Sequence, residues 1–299
     1  HDGDPEVALA LVEAAADAGA DALKLQTFRT ALLVRDGAPQ AAYQRERAPA
    51  DSQAAMLRSL ELDDAAHRAV AARCAARGIE FLSTPFDPPS LALLQDLRVR
   101  RLKVASGELT NWPMLLRMAR TGLPVLVSTG MATLDEVADA LAVLAWGRGH
   151  AHGTPDTAEL ASARAALEAS GPDVLPEVTV LHCTSSYPAD PTDVNLRAMD
   201  TLAAAFGLPV GYSDHTEGTT VAVAAVARGA TVLEKHLTLD RTRSGPDHAA
   251  SLDPAGFADL VAALRTTESA LGSGEKRPFG DELGVRDVND AISLGNTPS

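Results

Sequence analysis

Short β-rich runs alternate with alanine-rich stretches of helical periodicity along the whole chain. The strand-like runs are 20–26, 79–84, 101–105, 124–128, 178–182, 209–213 and 232–236. Helical patterns occupy 5–18, 63–77, 88–97, 112–120, 134–145, 195–206, 218–228 and 254–271. Strict alternation of this kind implies parallel strands joined by right-handed crossovers. Pro5, Pro88, Pro113 and Pro254 sit at helix starts, where a missing N–H is tolerated, and Gly19, Gly78, Gly122 and Gly229 follow helix ends. Seven strands and eight helices, beginning on a helix, fit a TIM-type (β/α)8 barrel whose first strand is missing from the chain. A doubly wound open sheet is the alternative. Residues 147–176, with a further helical pattern at 157–170, read as a surface excursion. The barrel then spans 1–272, and 273–299, rich in Gly, Pro and charge, is a linker or ordered arm.

Composition narrows the function. The net charge of −14 argues against nucleic acid, whose phosphates need a positive surface. No run of 18 apolar residues and no signal peptide is visible, so no membrane role is expected. Cys74 and Cys183, the two cysteines, form no CxxC pair, which fits a reducing cytoplasm. The chain starts on His1 and not on methionine, so an N-terminal piece is expected to be missing. Any anionic ligand must be held by local cations against the global field. Lysine is scarce, only Lys24, Lys103, Lys235 and Lys276, and three of the four fall in strand-like runs.

In parallel barrels, catalytic groups cluster where strands end. Here each strand end is polar: Lys24 and Gln26; Ser83 and Thr84; Lys103, Ser106 and Glu108; Ser128 and Thr129; His182, Thr184 and Tyr187; Ser213, Asp214 and His215; Glu234 and His236. Helix capping explains some of the hydroxyls but not the lysines or histidines. A buried ammonium is costly unless paired, so Lys24 and Lys103 read as anion ligands. Ser106 and Ser128, with the N–H groups of Gly107 and Gly130, would complete a phosphate cradle. The alternative for each lysine is a structural pair with an acid such as Glu108 or Glu234. His215 and His236 end consecutive strands and are expected to be neighbours. Two imidazoles with a few waters make an open site suited to Mn²⁺ or Mg²⁺, unless either ring is a general acid or base. Asp247 is expected on the same rim, acting on the metal's water or a substrate hydroxyl.

These segments resemble the N-acetylneuraminate (sialic acid) synthase family from His1 to about Leu271. The motifs that carry the likeness are HDGD at 1–4, ADALKLQTF at 20–28, FLSTPFD at 81–87, LKVASGELTN at 102–111 and VLVSTGMATLDE at 125–136. LHCTSSYPADPTDVNLRAM at 181–199, GLPVGYSDHT at 207–216 and EKHLTLDRTRSGPDHAASLDP at 234–254 complete it. The resemblance implies condensation of phosphoenolpyruvate with an N-acetylated amino sugar aldehyde, of the N-acetylmannosamine kind, giving a nonulosonic acid and phosphate in a homodimer. It implies phosphoenolpyruvate contacts for Lys24, Thr84, Lys103, Ser106, Ser128, Tyr187 and Ser213. Gln26, Glu108, Tyr187 and Asp247 fall on the sugar and metal side, and His215 and His236 hold the divalent metal. Three departures stand out. The family's strand-one glutamate lies before His1, Ser185–Ser186 replaces a common asparagine, and the arm replaces an antifreeze-like domain, with Arg277 and Arg286 as candidates for its arginine. Two other readings remain open: a synthase for a phosphorylated sugar, which would need a second phosphate cradle that is not evident, and a non-catalytic ligand-binding relic.

Overall fold

The computed structural model describes residues 1–295 except Asp36, Ala41, Pro49 and Phe279. Seven strands appear among them: β1 (Ala22–Thr27), β2 (Glu80–Pro85), β3 (Leu102–Val104), β4 (Val125–Ser128), β5 (Val178–Cys183), β6 (Val210–Asp214) and β7 (Leu233–Lys235). All ladders are parallel: β1 pairs with β2, and β3 through β7 pair in sequence order. β2 lies against β3. At the other edges Lys24 Nζ of β1 reaches Glu234 Oε2 of β7 at 3.5 Å, so the sheet curls until its outer strands face one another across the interior. The strand-like runs read from sequence all form strands, displaced at their ends by at most two residues.

The helices form where local chemistry and burial agree. Asp4 Oδ1 caps Pro5–Asp17 by accepting from Glu6 N at 2.8 Å, and Pro5 takes the first turn, where its lost donor costs nothing. Ala8, Leu11, Val12 and Ala15, spaced at three and four residues, are its buried face, which packs on Asp64–Arg77. Burying Leu11 alone contributes about 1.5–3 kcal/mol. Gly78 ends Asp64–Arg77 at φ 73°, a left-handed conformation that a Cβ would oppose. The 147–176 excursion contains the helix Thr157–Ser170, packed on Leu134–Gly149. Short helices at Thr30–Leu33, Ala42–Arg47, Gln53–Leu60 and Pro191–Val194 were not legible, and the arm includes a helix, Glu282–Gly295.

Strand periodicity divides each strand between two layers. Outward residues such as Val125, Val127, Val178, Val180 and Tyr212 join the helices in the main apolar core. Inward, Leu82, Leu126 and Leu181, with Ala22 and Val232, make a thin apolar floor. Gly211 takes an inward place on β6 because a Cβ there would lie 2.5 Å from both Leu181 Cδ2 and Val232 O. β6 is buried throughout, whereas every residue of β7 is only half-buried, because its backbone faces the gap toward β1.

Candidate active site

Above the apolar floor, the next inward residues are polar. Some of them border a cavity of about 340 Å³ that opens between β1 and β7: Lys24, Gln26, Glu234 and His236 line it, together with Asp247. Lys103 is fully enclosed, with a side chain 3% exposed, and its Nζ donates to Ser128 Oγ at 2.7 Å. It also faces Glu234 Oε1 at 3.5 Å, while Lys24 faces Oε2 of the same carboxylate at 3.5 Å. Ser213 Oγ donates to Glu234 Oε1 at 2.8 Å. Both lysines therefore pair with Glu234, as the structural alternative anticipated, but they share it. Two ammonium groups against one carboxylate leave a cationic excess in a protein of net charge −14.

The electrostatics follow from this packing. Burial alone would raise the Glu234 pKa, but Lys103, Lys24, Ser213 and His236 together hold it far below the ordinary carboxylate range. Burial lowers the Lys103 pKa, opposed by Glu234. Thr84 Oγ1 is buried at the same level without a hydrogen-bond partner among the described atoms. A buried hydroxyl so placed is a polar group presented to a ligand.

The cradle is folded in on itself. Gly130 N donates to Ser106 Oγ at 3.0 Å, and Ser128 Oγ is engaged by Lys103. Gly107 is exposed. A Cβ on Gly130 would strike Ser185 Oγ and approach Ser106 Oγ and Cys183 Sγ to 2.8 and 3.2 Å, so three strand-end loops converge here. Cys183 and Ser185 had no assigned role, although inward parity on β5, two residues past Leu181, points to Cys183. Glu108 shares a single 3₁₀ turn, Ser106–Glu108, with Ser106; burial raises its pKa, against a 2.6 Å hydrogen bond from Asn111 Nδ2.

His215 and His236 are brought together as expected, their ring centroids 5.3 Å apart, with Tyr187 at 4.2 Å from the first and 5.8 Å from the second. His215 Nδ1 lies 2.7 Å from Thr184 O; a carbonyl only accepts, so Nδ1 donates there, and Nε2 is the ring nitrogen left for a ligand. Burial lowers the His236 pKa, against the attraction of Asp247, whose Oδ2 is 3.9 Å from His236 Nδ1. Two imidazoles at this separation suit one borderline ion. No group of three or more His, Cys, Asp or Glu side chains gathers for a metal among the described residues, so the fit is to an open two-imidazole site and not to a closed one.

Three rim residues face away from the cavity. His182, outward on β5, donates Nε2–H to Val194 O at 2.6 Å and packs on Tyr212. Ser83 is outward on β2 and bonds Thr27 Oγ1 at 2.7 Å, in a chain that continues to His67 Nε2 at 3.0 Å. Asp214 is outward on β6 and pairs with Lys235. The strand ends do not all converge, because the same period of two that gathers half of the polar residues turns the other half outward.

A curled parallel α/β sheet that brings two interior lysines onto one carboxylate beside two rim histidines sets the class. The sequence model of the NeuB family matches residues 11–276, and the chain belongs to that family. It is 45% identical over 287 residues to an N,N'-diacetyllegionaminic acid synthase of Legionella pneumophila, covering 96% of this chain and 74% of that protein. It is 32% identical over 278 residues to human N-acetylneuraminate-9-phosphate synthase, covering 93% and 70%. The solved sialic acid synthetase of Leptospira borgpetersenii, in complex with citrate, superposes with a TM-score of 0.76 at 30% identity, covering 99% of this chain and 90% of that one.

Proposed function

We propose that this chain condenses phosphoenolpyruvate with an N-acetylated amino sugar aldehyde to give a nonulosonic acid and phosphate. The observation that carries the reading is the sharing of Glu234 by Lys24 and Lys103. A cationic excess in a partly enclosed pocket offsets the charge of a small, highly anionic substrate. In this reading the lysines, with Thr84, Ser106, Ser128, Tyr187 and Ser213, hold the phosphate and carboxylate. Gln26, Glu108, Tyr187 and Asp247 orient the sugar at the mouth. His215 and His236 would hold Mn²⁺ or Mg²⁺, which when bound supplies Lewis-acid polarisation of the aldehyde oxygen. Carbon three of phosphoenolpyruvate attacks the aldehyde carbon, water adds to the cation at carbon two, and phosphate leaves with cleavage of its C–O bond. Residues 1–272 act as the synthase barrel, with 273–299 as an arm, in a cytoplasmic homodimer. The gap between β1 and β7 is the seat of an eighth strand outside this sequence: the half-buried β7 and the apolar residues Leu11, Ala15 and Phe257 along the cavity support it.

The test uses phosphoenolpyruvate labelled with ¹⁸O in the bridging oxygen, N-acetylmannosamine and Mn²⁺. The expected products are a nonulosonic acid and an equal amount of phosphate that retains the label, formed only when both substrates are present. Phosphate released without the sugar, or label kept in the organic product, would overturn the reaction.

A further inference from the structure

Lys235 borders the pocket through its place on β7 but sends its side chain away from it. Its side chain points outward from β7 and is 1% exposed, its Nζ 2.8 Å from Asp214 Oδ2, and the Asp214 side chain is fully enclosed. Each of the two residues immediately precedes one of the rim histidines. Asp214 and Lys235 are opposed in register across β6 and β7. The pair is bound further into the backbone. Lys235 Nζ donates to Thr216 O at 2.5 Å, while Asp214 Oδ1 accepts from Thr216 N at 2.9 Å, Thr216 Oγ1 at 2.8 Å and Tyr212 OH at 3.3 Å. His215 is thus fixed from both sides of its own backbone, and His236 from the residue before it.

A buried ion pair is seldom the most stable way to fill such a space; apolar side chains of similar volume often do as well or better. What it supplies here is a fixed relation between two chain segments whose next residues face each other at 5.3 Å. The other flank of each histidine is also tied: Ala189 N donates to His215 O at 2.9 Å, and Leu252 N to His236 O at 3.0 Å. We infer that the Lys235–Asp214 pair, with Thr216, is a positioning element that sets the separation of His215 and His236 from behind the pocket wall. The inference rests on the reading of these histidines as metal ligands, and it assigns a role in metal geometry to two residues that touch neither metal nor substrate.

The test replaces the pair as a unit, Asp214→Leu with Lys235→Met, which removes both charges and leaves neither unpaired. Mn²⁺ binding is read from the electron paramagnetic resonance signal of the free ion. Inorganic phosphate binding, measured by calorimetry on the same sample, reports on the Lys24–Lys103 pocket. A folded paired variant should bind phosphate within about twofold of the parent, but Mn²⁺ at least about tenfold more weakly, the lower end of the loss seen when groups that orient metal ligands are removed. Should the paired variant not fold, Asp214→Asn keeps the shape and weakens the link to Lys235, and its Mn²⁺ affinity should fall several-fold. A folded variant of either kind that binds Mn²⁺ as the parent does would overturn the inference while leaving the metal reading intact. A parent that binds no Mn²⁺, or binds it unchanged after His236→Ala, would overturn the metal reading and the inference with it.

Discussion

Lys103 and Lys235 are both enclosed strand lysines, 3% and 1% exposed, yet they serve opposite purposes. Lys235, on the helix-facing side of β7, has an acid of its own at 2.8 Å and a backbone carbonyl besides. Lys103, on the interior side of β3, reaches Glu234 only at 3.5 Å and shares it with Lys24. The hydroxyls repeat the contrast. Ser83, outward, belongs to a closed chain with Thr27 and His67, whereas Thr84, inward and one residue later, has no partner among the described atoms. Lys235 and Ser83 are satisfied by the fold, whereas Lys103 shares its carboxylate and Thr84 keeps a free hydroxyl among the described atoms. In these two pairs that difference separates the polar residue held by the fold from the one that faces the interior.

The largest effect should come from breaking the closed side. Lys235→Met leaves Asp214 charged and enclosed, and should cost about 3–5 kcal/mol in chemical denaturation, as breaking a buried pair does. A loss below about 1 kcal/mol would mean that Asp214 is satisfied by Thr216 and Tyr212 alone. On the open side, Thr84→Val should leave stability unchanged or raise it, because the hydroxyl it removes makes no bond. The same change should weaken phosphoenolpyruvate binding by about 0.5–1.5 kcal/mol, the net value of one hydrogen bond.

Proton linkage extends the contrast to the outer layer. Burial lowers the pKa of His67 and of His182 below the ordinary value of 6.5. The unfolded chain then binds more protons than the folded one once the pH drops under 6.5, so stability should be full above that value and decline below it. His67→Gln should flatten part of that decline in melts recorded from about pH 7 to about pH 5; an unchanged slope would remove His67 as a source. The smallest effect belongs to the surface. Arg164 meets Asp135 and Asp139 at 2.6 and 3.0 Å, but its partners are 85% and 38% exposed. Arg164→Ala should therefore shift stability by less than about 1 kcal/mol.

Much of this was legible in the sequence. The β-rich runs bounded by Gly and Pro gave every described strand, since parallel buried strands leave a continuous apolar signature. The helices Gln53–Leu60 and Pro191–Val194 were not, because so few turns among Ala, Ser and Pro carry little periodic signal. Within the site, Lys24 with Gln26 and His215 with His236 were found, because each pair depends only on strand parity and strand order. Parity applied to β5 and β6 would also have turned His182 and Asp214 outward. The sharing of Glu234 could not be read, because it depends on how far the sheet curls to bring β7 opposite β1. Nor could the convergence of Gly130, Ser106, Cys183 and Ser185, which join three loops far apart in the chain.

The open interior is most directly tested by calorimetric titration of phosphoenolpyruvate into three folded proteins: the parent, Lys103→Met, and the paired Asp214→Leu/Lys235→Met. The parent should bind. Lys103→Met should lose about 1.5–3 kcal/mol, the range for hydrogen bonds to charged groups, which is one to two powers of ten in Kd. The paired variant should bind as the parent does. No binding by the folded parent, or an equal loss in the two variants, would contradict the assignment of the inner lysines to the ligand and the outer one to the fold.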